Sequence, residues 1–160
     1  MFADDGVVPN NPVLPVVVMA AAIKPDTGEI AARYRSHGWG GIWEWTVFNY
    51  LHYHPNAHEV LTCARGWGDI RIGGDMGRDF RLTPGDSVVL PAGTGHQLVS
   101  ADTEFCVVGA YPEGQESPET TEATRENYPG AAERVAHVKL PKTCPLMGET
   151  GPTMQAWASE

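Results

Sequence analysis

The chain has little positive charge. It carries 11 lysines and arginines against 20 aspartates and glutamates, a formal net charge of -9 over 160 residues. Only Lys24, Lys139 and Lys142 are lysines. Phosphate backbones and anionic membrane surfaces are bound by clustered Lys and Arg. The composition therefore argues against nucleic acid and against a membrane as partners. Cysteine is scarce as well. Cys63, Cys106 and Cys144 are odd in number and form no CxxC pair, which reads as buried free thiols in a reducing compartment. The opening residues, Met1 to Gly6, lack the basic stretch of a secretory leader. The longest apolar run, Val16 to Ile23, is far too short to cross a bilayer. A cytoplasmic protein is the expectation.

What remains is ordinary in bulk. The apolar fraction is 42% and the charged fraction 19%, enough for one domain, 1–160, with a full core. Three textures follow one another. Residues 1–41 form an irregular arm, broken by Pro9, Pro12 and Pro15. It continues into a uniformly apolar strand over Leu14–Met19, buried on both faces, and a short helix over Glu29–Arg35 capped by Asp26 or Thr27. Residues 42–111 carry many short β-rich runs: Ile42–Phe48, Tyr50–His54, Glu59–Arg65, Gly68–Gly73, Asp79–Leu82, Ser87–Leu90, Gln97–Ser100 and Glu104–Ala110. Gly, Pro and Asp turns divide them, the pattern of an all-β sandwich or barrel. Residues 112–160 begin with a solvated acidic loop, five glutamates against Arg125 over 112–126. A helical turn at Ala131–Ala136, a late strand at Val138–Pro141 and a wrapping tail anchored by Trp157 follow.

The coordination chemistry is concentrated in His52-Tyr53-His54-Pro55-Asn56-Ala57-His58-Glu59. Residues i and i+2 of a strand project from one face, so His52 and His54 point together. Glu59 opens the next run, and antiparallel pairing is expected to bring it beside them. His96 joins from the turn Pro91-Ala92-Gly93-Thr94-Gly95. Three imidazoles and a carboxylate suit one divalent transition metal: iron, manganese, nickel, cobalt or zinc. Four protein ligands leave positions open for a small molecule, as catalytic sites do. His58, by parity, faces away, on the outer surface or toward a second copy. His37 and His137 read as solvated.

These residues resemble the cupin pattern at full spacing. HxH, four residues, Glu, six residues and Gly are met by His52, His54, Glu59 and Gly66. Gly, five residues, PxG, two residues and His are met by Gly85, Pro91, Gly93 and His96. The usual closing Asn is replaced by Ser100. The resemblance implies a double-stranded β-helix, or jelly roll, with a metal near the barrel centre. Asp4-Asp5-Gly6-Val7-Val8-Pro9-Asn10-Asn11-Pro12, Gly38-Trp39-Gly40 and Val107 to Pro112 are similar to the small bacterial YjlB-like cupins. That likeness covers nearly the whole chain and implies no substrate.

Parity carried from His52 back along the chain puts Phe48 and Tyr50 on the metal's face and turns Trp43 and Trp45 away, toward the core or a homodimer interface. Carried forward from Glu59 and His96, it adds Leu61, Cys63, Leu98 and Ser100. The expected pocket, Phe48, Tyr50, Leu61, Cys63 and Leu98, is mainly apolar and favours a small, partly apolar molecule over a polyanion. Cys63 reads as an inert thiol, and Arg65 and Arg71 as surface residues. Gly73 to Gly77 reads as a hairpin turn. Catalytic residues beyond the metal set are not readable. The function expected is a metal-dependent enzyme with oxygenase, isomerase or lyase chemistry. The competing reading is a non-catalytic cupin that binds or senses a small ligand.

Overall fold

A computed structural model describes residues 1–158. The elements are β1 (Val17–Met19), α1 (Thr27–Ser36), β2 (Gly40–Trp45), β3 (His52–Tyr53), β4 (Glu59–Arg65), β5 (Gly68–Ile72), β6 (Arg78–Leu82), β7 (Ser87–Leu90), β8 (His96–Ala101), β9 (Cys106–Tyr111), β10 (Thr121–Glu122), α2 (Ala131–Ala136) and α3 (Pro152–Ala156). Two five-stranded sheets, in the orders β1-β7-β4-β9-β2 and β10-β3-β8-β5-β6, face each other. All the pairings are antiparallel. This is the all-β jelly roll expected.

Burial differs between the sheets for a sequence reason. The strands β4, β7 and β9 are nearly continuous apolar runs, and almost all their residues are buried. Their inner faces, Leu61, Cys63, Val88, Leu90 and Val107, pack against Ile70, Ile72 and Leu82 of the second sheet. Their outer faces, Val60, Val89, Val108 and Ala110, lie under Ile30 and Tyr34 of α1 and under Leu146 and Trp157 of the C-terminal segment. In the second sheet Tyr53 of β3 is covered by Val8 of the arm and Ala131 of α2, and the cover does not extend over β5 and β6. In β5 buried and half-buried residues alternate, and its outer face is closed by the ion pairs Arg71–Asp79 and Arg81–Asp69, both 2.8 Å. Strand β1 is an edge strand, paired with β7 alone. Val18 is therefore 48% exposed, not buried on both faces as its apolar run implied.

The helix α1 starts where Asp26 accepts a hydrogen bond from the Glu29 amide at 2.9 Å, which satisfies one of the orphan donors of the first turn. Ile30 and Tyr34, four apart, bury one face. Four departures from the sequence reading position the site. Strand β2 ends at Trp45, and residues 46–51 form a corner leading to β3 in the other sheet. The acidic segment is not a free loop: β10 pairs with β3, Thr121 against Tyr53. Residues 138–141 form no strand, and one of their carbonyls serves side chains instead. Lys139 O accepts from His58 and Gln115. The tail adds the short helix α3 and is anchored by Trp157, whose indole donates to Pro15 O at 2.8 Å. Among the described residues no helix is long and apolar enough to cross a membrane.

Candidate metal centre

The second sheet supplies the histidines. His52 on β3 and His96 on β8 are direct cross-strand partners, with ring centroids 4.1 Å apart. His54 lies just beyond β3. Its carbonyl accepts from the Gly93 amide at 2.9 Å, which ties the turn before His96 to the first motif. Gly93 has φ +85, and a Cβ there would come within 2.8 Å of Asn10 O. Both the backbone conformation and the close approach require glycine. Glu59 arrives from the first sheet, across the sandwich. Strand β4 pairs with β7 and β9 and not with β3, so the expected antiparallel pairing of Glu59 beside the histidines is corrected. Residues 55–58 carry the chain from one sheet to the other.

Each ring is held by its Nδ1. His52 donates to Tyr50 O at 2.9 Å, His54 to Glu119 O at 2.8 Å and His96 to Thr94 O at 2.9 Å. A carbonyl only accepts, so Nδ1 carries the proton and each Nε2 presents a lone pair. One ring nitrogen from each histidine lies within 4.8 Å of the other two, and all three residues are buried. Glu59, 3% exposed, sets its oxygens 3.3 Å from His54 Nε2 and 3.2 Å from His96 Nε2. Its Oε1 is buried with no hydrogen-bond partner. Burial works to raise the Glu59 carboxyl, but His54 and His96 outweigh it and hold it well below the usual carboxylate range. Burial pulls His52 down to about 3, helped by the neighbouring His96. Burial also opposes the charge on His54, and Glu59 overcomes it and raises that ring. Buried acceptors converging on one point, anchored from behind and short of donors, fit a divalent cation.

Above the cluster is a cavity of about 250 Å³. It is lined by Phe48 and Leu61, as expected, and also by Trp43, Trp45, Tyr111 and Thr120. Both tryptophans were expected to face away. The strand breaks after Trp45 and the chain changes sheet, so side-chain parity cannot be carried from His52 back to them. Tyr50 stays at the rim, stacked on Phe48 at 5.0 Å. Cys63 lies in the core between the sheets, off the cavity, its thiol pushed up to about 12 by burial. Leu98 packs on that same core. Ser100 turns outward to Asp69, because the register of β8 against β5 shifts between Asp69 and Ile70 and a bulge flips the face.

His58 does face away from the cluster, yet it is not a surface residue. It is 1% exposed, beneath the C-terminal wrap. Nδ1 accepts from the Ala92 amide at 2.8 Å, Nε2 donates to Lys139 O at 3.1 Å, and the ring packs on Trp157. Arg65 pairs with Glu44 at the surface. Sequence reasoning missed Tyr111. The alternation Val107, Gly109, Tyr111 into a buried face was its available signal. Glu119 was missed too. It acts through its carbonyl, which any residue type offers, so it left no signal.

Residues 47–109 match the family model of the cupin domain. Over 156 residues the chain is 39% identical to the uncharacterized protein YjlB of Bacillus subtilis (strain 168), across 98% of this chain and 93% of that one. The chain belongs to the cupins, in the family of YjlB. Similar solved structures include acireductone dioxygenase of Bacillus anthracis with cadmium in its active centre, at 22% identity over 53% of this chain and 58% of that one, TM-score 0.39. The DMSP lyase DddQ of Ruegeria pomeroyi DSS-3 matches at 23% over 53% and 42%, TM-score 0.43. The TDP-quinovose 3,4-ketoisomerase WlaRB of Campylobacter jejuni matches at 14% over 57% and 73%, TM-score 0.44. The chain spans little more than half of the dioxygenase and less than half of the lyase.

Proposed function

We propose that this cupin is a metal-dependent enzyme that acts on a small, partly apolar molecule. The observation that carries the reading is the cluster itself. Three histidines anchored through Nδ1 and a carboxylate with an unpartnered oxygen meet at the floor of a cavity. His52, His54, His96 and Glu59 would hold the ion, one of iron, manganese, nickel, cobalt or zinc. Such an ion supplies Lewis acidity, or redox chemistry if it is iron, in oxygenase-, isomerase- or lyase-type reactions.

The chain's own residues do the rest. Trp43, Val47, Phe48 and Leu61 keep the cavity apolar. Tyr111 holds a proton at its hydroxyl. That oxygen accepts from Trp43 Nε1 at 2.9 Å, so its own O–H is directed elsewhere, toward Glu59 or a bound molecule. Burial and the Glu59 carboxylate both push the phenol up and keep it protonated. Tyr111 is thus the residue we assign to donate a hydrogen bond or a proton to the ligand. A second reading, a non-catalytic binding or sensing cupin, is favoured by the same wall. Outside the metal set, its proton-bearing side chains are Tyr111, Trp43, Trp45, Thr46 and Thr120, and none is a strong base. Metal analysis of protein purified without added metal tests the first reading, with His54→Ala as the control. The expected result is a stoichiometric ion in the wild type and none in a folded variant. Unchanged metal content in His54→Ala would remove the assignment. Saturable ligand binding without turnover in any metal form would favour the second reading.

A further inference from the structure

The wall of the cavity is chemically one-sided. From the rim inward, Trp45 meets the edge of Phe48 with centroids 5.8 Å apart, Phe48 stacks on Tyr50 at 5.0 Å, and Phe48 meets His52 at 5.4 Å. Aromatic faces thus run unbroken from solvent to the metal cluster. Trp43 adds a second plane, and that plane is fixed. A Cβ on Gly109 would overlap the indole, so Trp43 lies directly on the glycine backbone while its Nε1 is tied to Tyr111. Trp45 is 61% exposed and Phe48 39% exposed, a contiguous apolar patch of the kind that marks a binding surface. Neither Lys nor Arg lines the cavity. Away from the metal ligands, a charged group on the ligand would therefore be desolvated with no side-chain cation to offset it.

Resting on the metal-site reading above, we propose that the cavity takes a single planar, uncharged ring. Its face lies against Trp45 and its edge meets Phe48, which stands nearly perpendicular to Trp45, and an oxygen substituent points at His52, His54 and His96. Size agrees. A dry cavity of ~150 Å³ holds benzene, and the cavity here is about 250 Å³, which leaves space for a ring with substituents. Shape agrees as well, because aromatic pairs gain beyond their buried area when offset-stacked or edge-to-face. A puckered aliphatic ring of the same size would bury similar area without that gain.

The test uses zinc-loaded protein labelled with 5-fluorotryptophan, titrated with phenol, cyclohexanol and tetramethylammonium and read by ¹⁹F NMR. Phenol is expected to shift the Trp43 and Trp45 signals and to bind more tightly than cyclohexanol. Trp45→Leu is expected to weaken phenol about five- to tenfold, the scale of one aromatic pair, and to leave cyclohexanol nearly unchanged. Trp45→Phe is expected to restore most of the loss. Equal affinity for the two alcohols, an absence of saturable phenol binding, or tighter tetramethylammonium binding overturns the proposal. So does a Trp45 signal that moves with protein concentration and not with phenol, which would make the rim a contact between two copies. The metal reading fails separately, through unchanged metal content in His54→Ala. That variant, without metal, is expected to keep the preference for phenol over cyclohexanol.

Discussion

The strand β4 and the residue before it carry two polar clusters on opposite faces. Inward, Glu59 meets His54 and His96. Outward, Tyr34 donates to Val108 O at 2.8 Å and its oxygen is hydrogen-bonded to Thr62 Oγ1, which lies 2.9 Å from Ser87 Oγ. His58, one residue before Glu59, belongs to the outward group, with both ring nitrogens engaged. Tyr34, Thr62 and Ser87 are fully buried and partnered. The inward cluster is as deeply buried, yet Glu59 Oε1 has no partner. Burial does not separate a structural cluster from a binding one. Satisfaction separates these two, because leaving a buried charged oxygen without a partner is costly unless something else supplies the interaction.

Substitutions sharpen that contrast, the largest effect first. His58→Ala removes two buried hydrogen bonds and the contact with Trp157, and should cost about 3 kcal/mol in denaturant unfolding with metal content retained. A loss of metal in that variant would break the separation of the two faces. Acidification should act at the same residue. Burial holds His58 down to about 4, whereas the free ring titrates near 6.5. Between those values the unfolded chain binds a proton that the folded chain refuses, so stability falls as pH drops from 6.5 toward 4. Protonated Nδ1 would also face the Ala92 amide as donor against donor. His58→Leu should make the pH dependence of unfolding shallower over that range, leaving the part that His52 carries, and an unaltered slope would show that His58 carries none of it. Tyr34→Phe should cost about 1–2 kcal/mol, read as a lower melting temperature with no change in metal. His52→Leu is the opposite case. It should abolish stoichiometric metal yet cost the metal-free protein only about 1 kcal/mol, because the lost hydrogen bond to Tyr50 O is offset by removal of a buried lone pair that had no donor, at similar volume.

Much of the site was legible because its spacing encodes its geometry. An HxH on a strand places two rings on one face whatever the sheet order. The Pro91 to His96 turn needs Gly93 for a left-handed backbone. Helix α1 was legible from its cap, and β4 and β7 from their apolar runs, with matching bounds. What failed was parity carried past a corner or a bulge. Trp43, Trp45 and Ser100 were each assigned to the wrong face for that reason. His58 was assigned to the correct face but to solvent or a second copy, because its cover comes from residues 139 and 157, far along the chain.

The amino-acid order alone therefore determined the residue types of the candidate metal centre, their turn and the all-β class, since these depend on local backbone geometry and on periodicity within single strands. Only the tertiary structure decided which sheet each candidate ligand comes from, that Glu59 crosses the sandwich, and that the acidic segment holds His54 through the Glu119 carbonyl. It also decided that two tryptophans line the cavity. Those features are set by the packing of one sheet on another, and a short strand's local pattern is the same on either side of a core.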